Sequence, residues 1–302
     1  MHFSSETIVN DGSMSGNARS NHYSRGMWNP AKGPLKVMVI GAHPDDPDVH
    51  CGGTAALLAA KGARVVFVSL TNGDKGHHMM SSADLARRRL AETQAAAKAY
   101  GIERYVVLGH HDCELTADLE TRLELTRLVR GFGPHVIFTH RTCDYHTDHR
   151  ATGQLVMDMT YLLGVPLWCP DVPIPEEKPV VFYLRDGFEY PQPLRPDLVI
   201  ELTQASVDRQ IAGLACHVSQ FFEWLPFDMG IADEVPATDD PVAVRKFIDR
   251  YWIKPRAAFD AKRYGLACSH AEVFGLSEYG REPTPTELAL LRSDFDIKEI
   301  VA

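Results

Sequence analysis

Two short stretches concentrate the residues able to do chemistry. The first, Ala42-His43-Pro44-Asp45-Asp46-Pro47-Asp48, sets an imidazole three residues before a carboxylate in a turn stiffened by Pro44. A divalent ion bound through nitrogen and oxygen asks for that pairing, so His43 and Asp46 are candidate ligands. The second, Asp144-Tyr145-His146-Thr147-Asp148-His149-Arg150, opens a helix that Thr147 can cap and supplies His149 as a third ligand. Three protein ligands and one open position describe a catalytic Zn2+ site, whereas a structural site is closed by four. The metal lowers the pKa of its water towards about 7, and attack on an amide further needs a base and an acid. Asp45, beside Asp46, is the expected base. His146, one helical turn from His149, is expected as an imidazolium that stabilises an oxyanion or protonates the departing amine. Asp148 is placed to orient an imidazole.

The elements expected around these stretches explain how they could meet. β-branched runs over 36–41, 64–70, 105–108 and 135–139 alternate with Ala/Leu-rich helical patterns over 54–61, 83–100, 118–130 and 148–162. Such alternation predicts an α/β fold, a Rossmann-like doubly wound and mostly parallel sheet flanked by helices. In open parallel sheets ligands bind beyond the carboxyl ends of the strands, where both stretches fall. The first lies where a dinucleotide-binding protein carries GxGxxG, and its absence disfavours a nicotinamide enzyme. Spacings of three arise by chance among 14 histidines. Two such motifs, each directly after a strand and interleaved with further carboxylates, favour a metal site.

The texture then changes. A Pro-rich insertion over 166–196 holds a strand at 180–184 and is expected to cover the site, followed by a strand at 198–202 and helical patterns over 206–223, 241–253 and 287–291. We expect residues 1–34 to form an extended arm and 35–302 a single domain. Trp168, Tyr183, Tyr190 and Trp224 are candidates for stacking on a sugar face. The net charge of −9 and the lack of a Lys/Arg stripe argue against nucleic acid as a partner. No apolar run approaches the roughly 20 residues of a membrane span. Six scattered cysteines without a CxxC pair suit reduced thiols in a cytoplasmic protein.

Ala42-His43-Pro44-Asp45-Asp46 and His146-Thr147-Asp148-His149 resemble the AHPDD and HPDH motifs of the PIG-L/LmbE-like deacetylases. The likeness continues in Gly52-Gly53-Thr54, Thr71-Asn72-Gly73-Asp74-Lys75-Gly76, Arg89-Leu90-Ala91-Glu92 and His217-Val218-Ser219-Gln220. The resemblance implies the same assignment: one Zn2+ per chain, or another divalent metal, on His43, Asp46 and His149, with Asp45 as base and His146 as acid or oxyanion stabiliser. It further implies Arg89, Asp112 and His217 as substrate-binding residues. The implied activity is removal of an acyl group, acetyl in most of the family, from an N-acylated sugar or similar small molecule, in a chain that can form homo-oligomers. Pro47, Thr147 and Gln210 depart from the Glu, Pro and Lys common at those positions. Two rival readings are a metal-dependent hydrolase of another acyl, ester or carbamoyl group and a metal-dependent carbohydrate-binding protein without turnover.

Overall fold

A computed structural model describes residue 28, residues 30–283 and the strand at 297–298. Most of the expected N-terminal arm and the helical pattern at 287–291 lie outside the described residues. Strands β1 (Lys36–Gly41), β2 (Arg64–Thr71), β3 (Arg104–His110), β4 (Val136–Thr139) and β5 (Val180–Tyr183) are parallel neighbours in the order β3-β2-β1-β4-β5. Beyond β5 the sheet continues antiparallel through β7 (Ala271–Leu276), β6 (Leu198–Glu201) and β8 (Ile297–Lys298). β7 has no counterpart among the expected elements, because its six residues lack a strand-length β-branched run.

The central strands are apolar on both faces, and their alternation sorts side chains into two cores. Val37, Val39, Phe67 and Phe138 join one core with Leu57 of α1 (Asp46–Ala60), Tyr100 of α2 (Ser82–Tyr100) and Leu214 of α5 (Gln204–Cys216). Met38, Ile40, Val68 and Ile137 face the other, with Leu125 of α3 (Leu119–Phe132) and Leu155 of α4 (Thr147–Leu162). The helix ends follow local rules: Ser81 and Asp118 accept amide hydrogens at the starts of α2 and α3, and Gly101 and Gly133 close them in left-handed conformation.

Four expected helices are corrected at their ends. α1 begins at Asp46 and not at residue 54, so the motif's carboxylates occupy its first turn. α4 is capped by His146, whose Nδ1 accepts the Asp148 amide hydrogen at 3.2 Å, and Thr147 is already helical. The expected helix over 206–223 ends at Cys216 and is followed by a π-helical segment, Ser219–Trp224, whereas the one over 241–253 passes directly into another, Asp249–Ala258, which contains Pro255. Such segments rotate side chains off the ordinary helical register and recur at functional sites.

Sequence order reverses between β1 and β4, which opens a crevice at their carboxyl ends. Two glycines set how closely chain packs there. A Cβ on Gly41 would lie 2.6 Å from Asp46 Cβ, so the first turn of α1 can fold directly onto the end of β1. On Gly153, one turn after His149, it would lie 2.8 Å from the carbonyl oxygens of both His140 and Arg141. Backbone cannot yield as a flexible side chain can. We therefore expect Gly153→Ala to cost about 1–3 kcal/mol despite alanine's better helix propensity. Thermal unfolding measures it, with weakened metal binding alongside.

Candidate metal centre

The turn after β1 is held by the carboxylate of Asp46. Its Oδ2 accepts the amide hydrogens of Ala42 at 2.9 Å and His43 at 2.7 Å, folding the motif back on itself. Asp45, the N-cap residue of α1, makes no side-chain capping bond, so its carboxylate is left for other use. Across the crevice, α4 presents His149 to the same point.

The structure brings the three expected ligands together. His43 Nδ1 lies 3.2 Å from His149 Nε2 and 3.3 Å from Asp46 Oδ2, and His149 Nε2 lies 3.4 Å from Asp46 Oδ1. Each imidazole has its other nitrogen on a carboxylate: His43 Nε2 is 3.2 Å from both Asp148 Oδ2 and Asp112 Oδ1, and His149 Nδ1 is 3.1 Å from Asp144 Oδ1. With each ring neutral and its proton drawn outward by these contacts, as metal ligation needs, the inward nitrogens turn lone pairs towards one another and towards Asp46. Three mutually facing acceptors are unfavourable unless a cation lies between them. Tetrahedral bonds of 2.0–2.1 Å place ligands about 3.3–3.4 Å apart, which matches the observed separations. The donor set therefore fits a divalent metal with two nitrogen ligands, one carboxylate and an open position.

The surrounding field agrees. Burial works to lower the pKa of His43, but Asp46, Asp112 and Asp148 outweigh it and hold the ring well above its ordinary value. His149 is likewise opposed by burial and raised by Asp46 and Asp144 to about 9. Burial opposes ionisation of Asp46, yet His149, His140 and His43 keep it well below the usual carboxylate range. This cluster holds positive charge strongly.

Asp45 differs from its neighbour. Burial and then the charge of Asp46 raise its pKa, against Arg89, His43 and His217. Its Oδ2 accepts from Gln220 Nε2 at 2.9 Å, while its buried Oδ1 has no partner. His146 has a ring nitrogen within 4.8 Å of donor atoms of His43 and His149. Because its Nδ1 accepts the Asp148 amide hydrogen, its proton resides on Nε2. Burial, then His43 and His149, lower its pKa, against Asp148 and Asp112.

The remaining expectations divide. Asp148 is wholly buried, its Oδ2 3.2 Å from His43 Nε2. Asp112 and Arg89 line the cavity above the cluster. Arg89 is only 2% exposed and donates to Gly76 O at 3.0 Å and to Gln220 Oε1, so it reaches Asp45 through Gln220. The expectation for His217 is corrected. It does not line the cavity, is 1% exposed, and its Nε2 lies 2.9 Å from Asp48 Oδ1 beneath α1. Gln210 belongs to the same buried layer, donating to Asp48 O and Glu272 Oε1. Sequence reasoning passed over His140, at the end of β4, whose Nε2 is 3.2 Å from Asp46 Oδ2 and whose ring stacks 4.1 Å from His149. It also gave no role to Asp144, although that residue lies inside the quoted motif.

The cavity has a volume of about 550 Å3, enough for a sugar-sized ligand. Residues 184–188 of the Pro-rich insertion form part of its wall, held by Arg141, whose guanidinium makes two 2.6 Å bonds to Asp186. Of the aromatic candidates Trp224 lines it, whereas Trp168, Tyr183 and Tyr190 do not; Tyr145, Phe188 and Trp252 are present instead. All six cysteines are free. No described helix is long and apolar enough to cross a membrane.

Comparison with known proteins gives a consistent picture. Residues 38–160 match the profile of the PIG-L family, described as GlcNAc-PI de-N-acetylase, a stretch that holds both motifs. A diacetylchitobiose deacetylase of Thermococcus kodakarensis is 32% identical over 136 residues, covering 43% of this chain and 51% of that protein. A 1D-myo-inositol 2-acetamido-2-deoxy-alpha-D-glucopyranoside deacetylase of Thermobispora bispora is 33% identical over 132 residues, covering 35% of this chain and 44% of the relative. The chain thus spans about half the length of these curated relatives. The solved N,N'-diacetylchitobiose deacetylase from Pyrococcus horikoshii shares the fold, with a TM-score of 0.65 over 83% of this chain and 86% of that one at 22% identity.

Proposed function

We propose that this chain, whose residues 38–160 match the PIG-L family, is a PIG-L/LmbE-like zinc-dependent amidohydrolase that removes an acetyl group from an N-acetylated sugar. The observation that carries the reading is the triangle of His43 Nδ1, His149 Nε2 and the Asp46 carboxylate, with sides of 3.2–3.4 Å, beside a buried and unpaired Asp45 oxygen. Bound by His43, Asp46 and His149, Zn2+ would supply Lewis acidity to polarise the acyl carbonyl and acidify water.

The side chains do the rest. Asp45 takes the proton of the attacking water on Oδ1, while Gln220, braced by Arg89, fixes Oδ2. His146 hydrogen-bonds from Nε2 to the developing oxyanion, or as imidazolium protonates the leaving nitrogen; where His146 stays neutral, the proton held by Asp45 passes to that nitrogen and restores the carboxylate. Asp148 and Asp144 hold His43 and His149 in the tautomers that ligation needs. Asp112, on the cavity wall, is available to sugar hydroxyls. The named substrates of the relatives, diacetylchitobiose and a 2-acetamido-glucopyranosyl inositol, support an N-acetylglucosamine unit. Six free thiols support a reducing, cytoplasmic setting.

A substrate panel tests the reading: zinc-loaded protein is given N-acetylglucosamine, diacetylchitobiose and a small N-acetylglucosaminide, beside aryl acetate esters and carbamates. Acetate and amine should appear in equal amounts from the N-acetyl sugars. Turnover of esters or carbamates alone would favour the other hydrolase. Sugar binding without any acetate would favour a binding protein.

A further inference from the structure

Five Lys and Arg side chains line the cavity, and four of them are matched. Lys75 pairs with Glu114 at 2.8 Å, Arg141 with Asp186 at 2.6 Å and Arg185 with Asp260 at 2.9 Å, while Arg89 is taken up by Gly76 and Gln220. Arg256 is different. It enters from the π-helical segment Asp249–Ala258, is half-buried, and donates only at 3.4 Å to Trp252 O in its own segment. Among the described residues no carboxylate pairs with it. Burial removes water and Arg185 beside it adds positive charge, and both press its pKa down, against Asp45, Tyr145 and Asp260. A guanidinium remains charged in proteins, so its hydrogen-bonding capacity stays unspent at a partly dry cavity wall. The acids Asp45, Asp46, Asp112, Asp144 and Asp228 also line the cavity, yet none forms an ion pair with it.

Resting on the deacetylase reading, we infer that the acylated substrate carries an anionic group, a carboxylate or a phosphate, which Arg256 receives with Arg185 as its neighbour. The planar fork of Arg256 suits two oxygens of such a group. Arg256 lies outside residues 38–160, the stretch that matches the family profile. Its role is specificity; the proton transfers are those of Asp45 and His146.

Binding tests this independently of turnover. Trp224 and Trp252 line the cavity and report occupancy by fluorescence quenching. Zinc-loaded full-length protein and its Arg256→Gln and Arg256→Lys variants are titrated with N-acetylglucosamine, N-acetylmuramic acid and N-acetylglucosamine 6-phosphate. All titrations are repeated in the Asp45→Asn background, where the sugar is to stay intact. One of the anionic sugars should bind about tenfold or more tightly than the neutral one, and which of them does identifies the carboxylate or the phosphate. The advantage should vanish in Arg256→Gln, survive in part in Arg256→Lys, and leave affinity for N-acetylglucosamine unchanged. Equal binding of neutral and anionic sugars by the unaltered chain would overturn the inference, as would an equal loss of both in Arg256→Gln. Anion-selective binding with no acetate release would instead retain this inference and remove the deacetylase reading.

Discussion

Asp45→Asn is expected to lower kcat on an N-acetyl sugar by about 10²–10⁴-fold while the protein keeps its metal. The carboxamide has nearly the same shape, and the side chain's hydrogen bond is with Gln220 Nε2 at 2.9 Å, which an amide oxygen can still accept. Asp46, His43 and His149 keep their own contacts, so metal content should be unchanged. Burial and Asp46 both resist ionisation of Asp45, so replacing it should cost no folding stability and can raise it. Acetate release, metal analysis and a thermal melt on one preparation separate these effects. Loss of metal together with activity would move Asp45 from base to ligand support.

The second large effect is expected at His149. Its removal leaves Asp46 and Asp144 facing each other's charge with one imidazole fewer to neutralise them, and takes away one of three ligands. His149→Ala should weaken metal binding by more than the loss expected for its orienting partner, and activity at ordinary metal concentrations should disappear. Asp144→Asn leaves the ligand in place but no longer fixes its proton on Nδ1, and a loss of about 10–100-fold in metal affinity is expected. Competition with a chromogenic chelator measures both. If Asp144→Asn costs as much as His149→Ala, Asp144 is a ligand itself and the triangle has been drawn through the wrong carboxylate.

Much of this site was legible in the chain because its chemistry is local. His43, Asp45 and Asp46 occupy one turn, His146, Asp148 and His149 another, and both follow strands that a parallel sheet places side by side. What escaped notice depends on contacts between distant segments. His140 lies one residue past the strand expected over 135–139, and only the approach of β1 to β4 sets its ring against Asp46. His217 looked like a residue of the pocket, but it is drawn under α1 by Asp48, 169 positions earlier in the chain. The break in the helical pattern at His217 and the π-helical segments carrying Gln220 and Arg256 have no clear signature in residue periodicity. These segments aim side chains into the cavity from outside the motif-bearing half of the chain. The cap on α4 was misplaced for a related reason, since a histidine took the part usually played by a hydroxyl or carboxylate.

The most direct test is to strip the protein with a chelator and titrate Zn2+ back while following acetate release from an N-acetyl sugar. The account predicts no turnover in the stripped protein and a linear rise that breaks at one equivalent per chain. The same titration of His149→Ala should stay flat at one equivalent. Undiminished turnover in the stripped protein, or a full recovery by His149→Ala at one equivalent, would contradict a metal centre at His43, Asp46 and His149.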